Sequence, residues 1–223
     1  MYYTDRGANR IGFCNLASQL CTEILSKEDG VVGEPISIAL HPKLGRLFWG
    51  NYNLGGSTSI YSANMDGSNP SLVVQAEGMI GIDLENSRIY WADTWANKVE
   101  SSTLDGTDRY TIVSFNDSPG PAGIDIAGDY LYWGEIGAKR IWRMTKTFGC
   151  QTQTTGPALL YDEKESVNDL KVYDRSKQPL DRENPCIWTG CSHLCALSGK
   201  VSVSCLCPKG LQLGSDGKTC ENA

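Results

Sequence analysis

Short apolar runs separated by polar, turn-forming clusters repeat along residues 2–174, and no stretch keeps the 3.6-residue spacing of an amphipathic helix. Ile36-Ser37-Ile38-Ala39-Leu40, Leu72-Val73-Val74 and Tyr110-Thr111-Ile112-Val113 have strand length, while Met65-Asp66-Gly67-Ser68 and Leu104-Asp105-Gly106-Thr107 have turn composition. An aromatic block marks each cycle: Tyr2-Tyr3-Thr4-Asp5, Phe48-Trp49-Gly50-Asn51, Tyr90-Trp91-Ala92-Asp93 and Tyr132-Trp133-Gly134-Glu135. These blocks start at 2, 48, 90 and 132, so they lie 46, 42 and 42 residues apart. The insertion Asn53-Leu54-Gly55-Gly56 follows the second block. A β-branched residue follows nine positions after the leading aromatic, twelve in the copy with the insertion: Ile11, Ile60, Val99 and Ile141. Seven positions before the last three blocks stand His41, Asp83 and Asp125, each closing an apolar run. Four short strands in each period of this length predict an all-β chain built of β-propeller blades.

The cysteines form a second pattern. Of nine, six (Cys186, Cys191, Cys195, Cys205, Cys207 and Cys220) crowd the C-terminal end, while Cys14, Cys21 and Cys150 are scattered. Structural zinc favours two closely spaced cysteine pairs, and only Cys191 with Cys195 has that spacing, so three disulfides suit the cluster better. Spacing alone leaves fifteen connectivities open. Cys14 and Cys21 flank a predicted hairpin turn and can bridge if their strands are in register, which would leave Cys150 unpaired. Disulfides imply an oxidising compartment, yet Met1 to Arg6 has neither the basic start nor the apolar stretch of a signal peptide. We therefore expect the chain to begin within a longer protein.

The four blocks in register, followed by Asn184-Pro185-Cys186, Cys191-Ser192-His193-Leu194-Cys195, Cys205-Leu206-Cys207-Pro208 and Asp216-Gly217-Lys218-Thr219-Cys220, resemble the YWTD (class B repeat) β-propeller and epidermal-growth-factor-like module of the low-density lipoprotein receptor family. The resemblance covers nearly the whole chain and implies a propeller portion over 1–180 and the module over 181–223. It also implies the pairings Cys186 to Cys195, Cys191 to Cys205 and Cys207 to Cys220. The family's propeller has six blades, so about four are expected here, the rest being missing blades of the parent chain. Residues 167–174 then read as a returning strand, with Asp174 in the position of Asp83 and Asp125. A four-bladed ring closed by that strand is the competing arrangement.

The fixed register of Trp49, Trp91 and Trp133, with Tyr2, Tyr90 and Tyr132, marks them as scaffold that packs blade on blade. Asp5, Asp93 and Glu135 are expected to accept backbone hydrogen bonds at blade turns, and Asn51 can accept as well. His41 reads as a substitute for a structural aspartate, and His193 as part of the module. Candidate ligand-facing residues are the departures from regularity: Tyr52, Asn53 and Leu54 in the insertion, Trp95, and Trp142. Asn116-Asp117-Ser118 is a glycosylation acceptor sequence.

A net charge of -6 without a basic run argues against nucleic acid as a partner, and the absence of an 18-residue apolar stretch argues against direct membrane insertion by this segment. No cofactor or metal is expected, because Ala196 to Ser204 and the lead-in before Cys186 supply too few oxygen ligands for calcium. The two histidines lie in different modules, and no local nucleophile pattern accompanies them, so an enzyme is not expected. The resemblance implies an extracellular receptor segment that binds a secreted or cell-surface protein through a propeller face. The receptor it implies is an endocytic one related to the low-density lipoprotein receptor, with this segment as ligand-binding and spacer region; the alternatives are a signalling co-receptor or matrix protein and, remotely, a propeller hydrolase.

Overall fold

The computed structural model describes residues 1–52, 58–76, 78–83, 85–116, 120–137, 139–146, 156–162, 167–174 and 184–223. They fall into two compact units, Met1–Leu72 with Leu180–Ala223, and Val73–Pro179. The strands of the repeats are β1 (Tyr2–Asp5), β2 (Arg10–Asn15), β3 (Leu20–Ser26), β4 (Glu34–His41), β5 (Arg46–Tyr52), β6 (Ser59–Asn64) and β7 (Ser71–Val74). They continue as β8 (Met79–Asp83), β9 (Arg88–Asp93), β10 (Lys98–Thr103), β11 (Tyr110–Ser114), β12 (Pro121–Ala127), β13 (Tyr130–Glu135), β14 (Arg140–Thr145) and β15 (Ala158–Asp162). They form a three-stranded sheet β1-β2-β3 and four-stranded sheets β4-β5-β6-β7, β8-β9-β10-β11 and β12-β13-β14-β15, with consecutive strands as neighbours. Each is one propeller blade, and the aromatic blocks lie on β1, β5, β9 and β13.

Alternation along the strand explains the block. Leu131 and Trp133 leave β13 on one side and join Tyr90, Ala92 and Val99 of the preceding blade in one buried cluster. In the other unit, Leu47 and Trp49 of β5 join Ile11 and Leu25 in the same way. The register shows why a β-branched residue recurs at fixed spacing. Val99 stands opposite Ala92, and Ile11 opposite Thr4, so each is presented from the middle strands of its blade to the next tryptophan. Trp49, Trp91 and Trp133 are 0 % exposed, which makes them the largest contributors to burial.

Residues 167–174 depart from the expectation that they form a returning strand. They carry no strand assignment, and the first sheet has three strands. The segment instead lies against β12 and β13. A Cβ on Gly123 would stand 2.4 Å from the Cα of Asp169, and one on Gly134 would stand 2.4 Å from Val167 Cγ1. Glycine lets the backbones approach at 123 and leaves room for the Val167 side chain at 134, and the Val172 N–H donates to Asp125 Oδ2 at 2.7 Å.

The C-terminal module contains a short helix α1 (Cys186–Thr189) and two hairpins, β16 (Leu194–Leu197) with β17 (Val203–Leu206), and β18 (Leu211–Leu213) with β19 (Cys220–Asn222). Disulfides join Cys186 to Cys195, Cys191 to Cys205 and Cys207 to Cys220, the order that the resemblance implies. A fourth joins Cys14 to Cys21. Cys150 lies outside the described residues.

The module is docked on the first two blades within its unit. Leu197 packs against the cluster around Trp49. Ser204 Oγ donates to Asp66 Oδ2 at 2.5 Å, and Thr22 Oγ1 to the Cys207 carbonyl at 2.7 Å. Gly45, at a φ of 64°, lies so close to Gly199 that a Cβ would fall 2.0 Å from its carbonyl oxygen.

Candidate protein-binding surface

The ends of β1, β9 and β13 pass into tight turns, and acidic side chains hold two of them. Asp5 Oδ1 accepts from the Ala8 N–H at 3.0 Å, and Asp93 Oδ1 from the Ala96 N–H at 2.7 Å. Asn51 does a related task with both ends of its amide, accepting from the Gly33 N–H and donating to the Val31 carbonyl. Glu135, one methylene longer, departs from the expectation. It is buried, its Oε2 has no hydrogen-bond partner among the described residues, and Arg140 Nη1 lies 3.9 Å away.

These turns display the residues that follow the blocks. In the third blade Thr94 Oγ1 donates to the Pro121 carbonyl at 2.7 Å, so the turn carrying Trp95 is pinned at two points. Trp95 itself is 73 % exposed. Tyr52 occupies the equivalent end of β5 and is half-buried. The Arg6 guanidinium carbon lies 5.1 Å above its ring, and Arg6 Nη2 bonds Glu34 Oε2 at 2.6 Å. This Arg6–Tyr52–Glu34 group was missed in the sequence, although Arg6 follows Asp5 as Tyr52 follows Asn51. Ile136, in the same place after Glu135, is also exposed.

The other candidates fare differently. Trp142 lies on β14 opposite Trp133, half-buried against the core cluster, with its indole nitrogen buried. Packing, rather than display, accounts for that position. Asn53 and Leu54 lie outside the described residues. Asn116 is described and exposed, but the rest of its acceptor sequence lies outside the described residues.

The repeated carboxylates are engaged in the scaffold. Asp83 accepts from the Glu85 and Asn86 N–H groups, from Asn86 Nδ2 and from Lys146 Nζ. Burial opposes its ionisation, but these donors outweigh burial and hold the carboxyl below its usual value. Glu100, equally buried, is held low in the same way by Arg109 and Lys98, and it also accepts from Trp91 Nε1. His41 is buried at the end of β4, in the place of Asp83 and Asp125.

One cleft stands out in the first unit. It has a volume of about 670 Å³ and is lined by Tyr2, Phe13, Leu16, Met65, His193 and Leu197 among others. Its rim is the seam between the first hairpins and the docked module. On α1, Ile187 and Trp188 are largely exposed. Among the described residues no helix is long and apolar enough to cross a membrane.

No protein-family model matches the chain. A vitellogenin receptor of Solenopsis invicta is 28 % identical over 229 residues, covering 100 % of the chain and 12 % of the relative. The low-density lipoprotein receptor-related protein 4 of Homo sapiens is 32 % identical over 142 residues, covering 63 % of the chain and 7 % of the relative. The chain thus spans about a tenth of the length of these relatives. Among solved structures, that of a nidogen/laminin complex superposes with a TM-score of 0.61 at 17 % identity, covering 92 % of the chain and 72 % of its counterpart. A virginiamycin B lyase of Staphylococcus aureus superposes with a TM-score of 0.53 at 18 % identity, covering 71 % and 50 %. At those identities the structural likeness speaks for the propeller fold, which carries both binding proteins and enzymes.

Proposed function

From a chain whose relatives are receptors and whose blades fit the YWTD repeats of the low-density lipoprotein receptor family, we propose a protein-binding segment of a receptor ectodomain. Its ligand is a secreted or cell-surface protein, engaged by the turns that follow the aromatic-block strands. The module, residues 181–223, continues the receptor from a fixed position on the first blades. The observation that carries this reading is Trp95. A tryptophan left 73 % exposed on a turn pinned at both Asp93 and Thr94 presents a large, preordered contact area. Binding rather than catalysis fits the carboxylates, because Asp5, Asp83, Asp93 and Asp125 are each engaged by backbone or lysine donors.

Vitellogenin, for which the first relative is named, is the ligand to try first. The secreted chain immobilised on a biosensor should bind it saturably at neutral pH. Absence of saturable binding to vitellogenin at concentrations up to about 10 μM, well above the affinities of specific interfaces, would overturn that ligand assignment. An endocytic role adds release of the ligand at about pH 5.5, in the range where histidine gains charge. Binding that is unchanged at that pH would remove the endocytic reading and leave the co-receptor reading in its place.

A further inference from the structure

Cys14 on β2 and Cys21 on β3 stand directly opposite each other in the antiparallel ladder, with Cα atoms 4.1 Å apart. Bridged cysteines ordinarily keep about 4.4–6.8 Å, and the module's pairs lie at 5.8, 5.3 and 5.6 Å. The two classes of bond also differ in what they hold. The module has only two-stranded sheets and depends on its bridges, whereas Cys14 and Cys21 belong to strands already paired from Arg10–Ser26 to Asn15–Leu20, with one bulge after Ile11. Their bridge also closes the shortest loop of the four, with a separation of 7 residues, so it constrains the unfolded chain least. The fold does not require it: at the position of Cys14 the other blades carry Ala63, Ser102 and Met144.

Cys21 is exposed, while Cys14 is 7 % exposed and lines the same cleft as Cys186, Cys191 and Cys195. The residue after Cys21 is Thr22, whose hydroxyl holds the Cys207 carbonyl of the module. We propose that Cys14–Cys21 is a thiol-cleavable clasp, opened by a secreted or cell-surface dithiol of the thioredoxin class while the module's bridges stay closed, and that opening it loosens the hairpin's hold on the module.

In the first step a thiolate of the reductant attacks the exposed Cys21 Sγ. A bond forms between the two sulfurs, the Cys14–Cys21 bond breaks, and Cys14 leaves as a thiolate. The reductant's second thiolate then attacks its own sulfur in the mixed disulfide, releasing Cys21 as a thiolate. Two electrons have passed to the protein, the reductant has become a disulfide, and water supplies the protons that give two thiols. Exposed bonds with departures from ordinary geometry are the labile ones among disulfides.

The test uses the folded wild-type chain, treated with thioredoxin or with low dithiothreitol, then alkylated and read by peptide mass spectrometry. Cys14 and Cys21 should be labelled at least about tenfold faster than any of the module's six cysteines. Labelling of all four bridges together, or of the module first, would overturn the proposal. Deuterium exchange of the selectively reduced chain should be at least about threefold faster in 20–26 and 203–207. The paired variant Cys14→Ser with Cys21→Ser should reproduce that rise, and exchange equal to the oxidised wild type in either sample would overturn the clasp.

Discussion

Lys146 Nζ stands 2.7 Å from Asp83 Oδ2, and both side chains are 3 % exposed, so a buried ion pair ties the end of β8 to the residue that follows β14. Asp83 is further satisfied by Asn86 and two backbone N–H groups, so the pair is embedded in a hydrogen-bonded turn rather than isolated. It links adjacent blades through chemistry that the aromatic blocks do not supply.

Replacing Lys146 by Met leaves the Asp83 carboxylate buried without its cation. The expected loss is about 3–5 kcal/mol, read as a lower urea midpoint for tryptophan fluorescence. The double variant Lys146→Met with Asp83→Asn should recover part of that loss, because the uncompensated charge is gone. A Lys146→Met midpoint within error of wild type would refute a stabilising ion pair.

The same pair sets a pH dependence. Asp83 and Glu100 titrate below their ordinary values in the folded chain, because their cationic partners and hydrogen-bond donors outweigh burial. A carboxyl lowered on folding contributes stability that is complete above the unfolded value, about 4, and is lost as pH falls through the folded value. The urea midpoint should therefore gain nothing from these groups between about pH 6 and 8 and fall below about pH 4. Arg109→Ala, which removes the contacts at 2.7 and 3.3 Å to Glu100, lets the folded value rise toward the unfolded one, so it should lower the midpoint at neutral pH and shrink the fall below about pH 4. A fall as large as that of wild type would show that Arg109 contributes little to holding Glu100 ionised.

Two tryptophans separate scaffold from display. Trp133→Ala empties a fully buried site and should cost about 3–5 kcal/mol. Trp95→Ala, on an exposed turn, should change stability by no more than about 0.5 kcal/mol. Thermal and urea unfolding of the two variants, compared in parallel, check both values.

Gly45 and Gly30 make a matched pair for the docking of the module. Both have positive φ, 64° and 72°, but a Cβ meets the Gly199 carbonyl only at Gly45 and meets nothing within 4 Å at Gly30. Gly30→Ala should show the backbone cost alone, roughly 1 kcal/mol. Gly45→Ala should in addition speed deuterium exchange in 194–206, and equal exchange in the two variants would contradict a tight seat for the module there.

Much of this fold is legible in the sequence because it repeats. The interval from Tyr90 to Tyr132 is a blade, and the offset from Tyr90 to Val99 is the turn from one strand into the next, so both leave a period in the chain. The docking contacts leave none. Thr22 meets Cys207 across 185 residues and Asp66 meets Ser204 across 138, each once, between residues of ordinary composition. Irregularity was an uneven guide to the surface. It picked out Trp95, which is exposed, and Trp142, which fills a gap beside Trp133, because a large aromatic out of register can answer either to a ligand or to a neighbour. Residues 167–174 carry the spacing of a strand but lie against β12 and β13, where Gly123 and Gly134 open room for them.

The pinned turn that carries Trp95 is the proposed contact point for the protein ligand. Its most direct test is the affinity of Trp95→Ala for vitellogenin, measured beside wild type on chains shown to be equally folded. A hot-spot tryptophan predicts a loss of at least about thirtyfold, whereas wild-type affinity in the variant would contradict binding through this face.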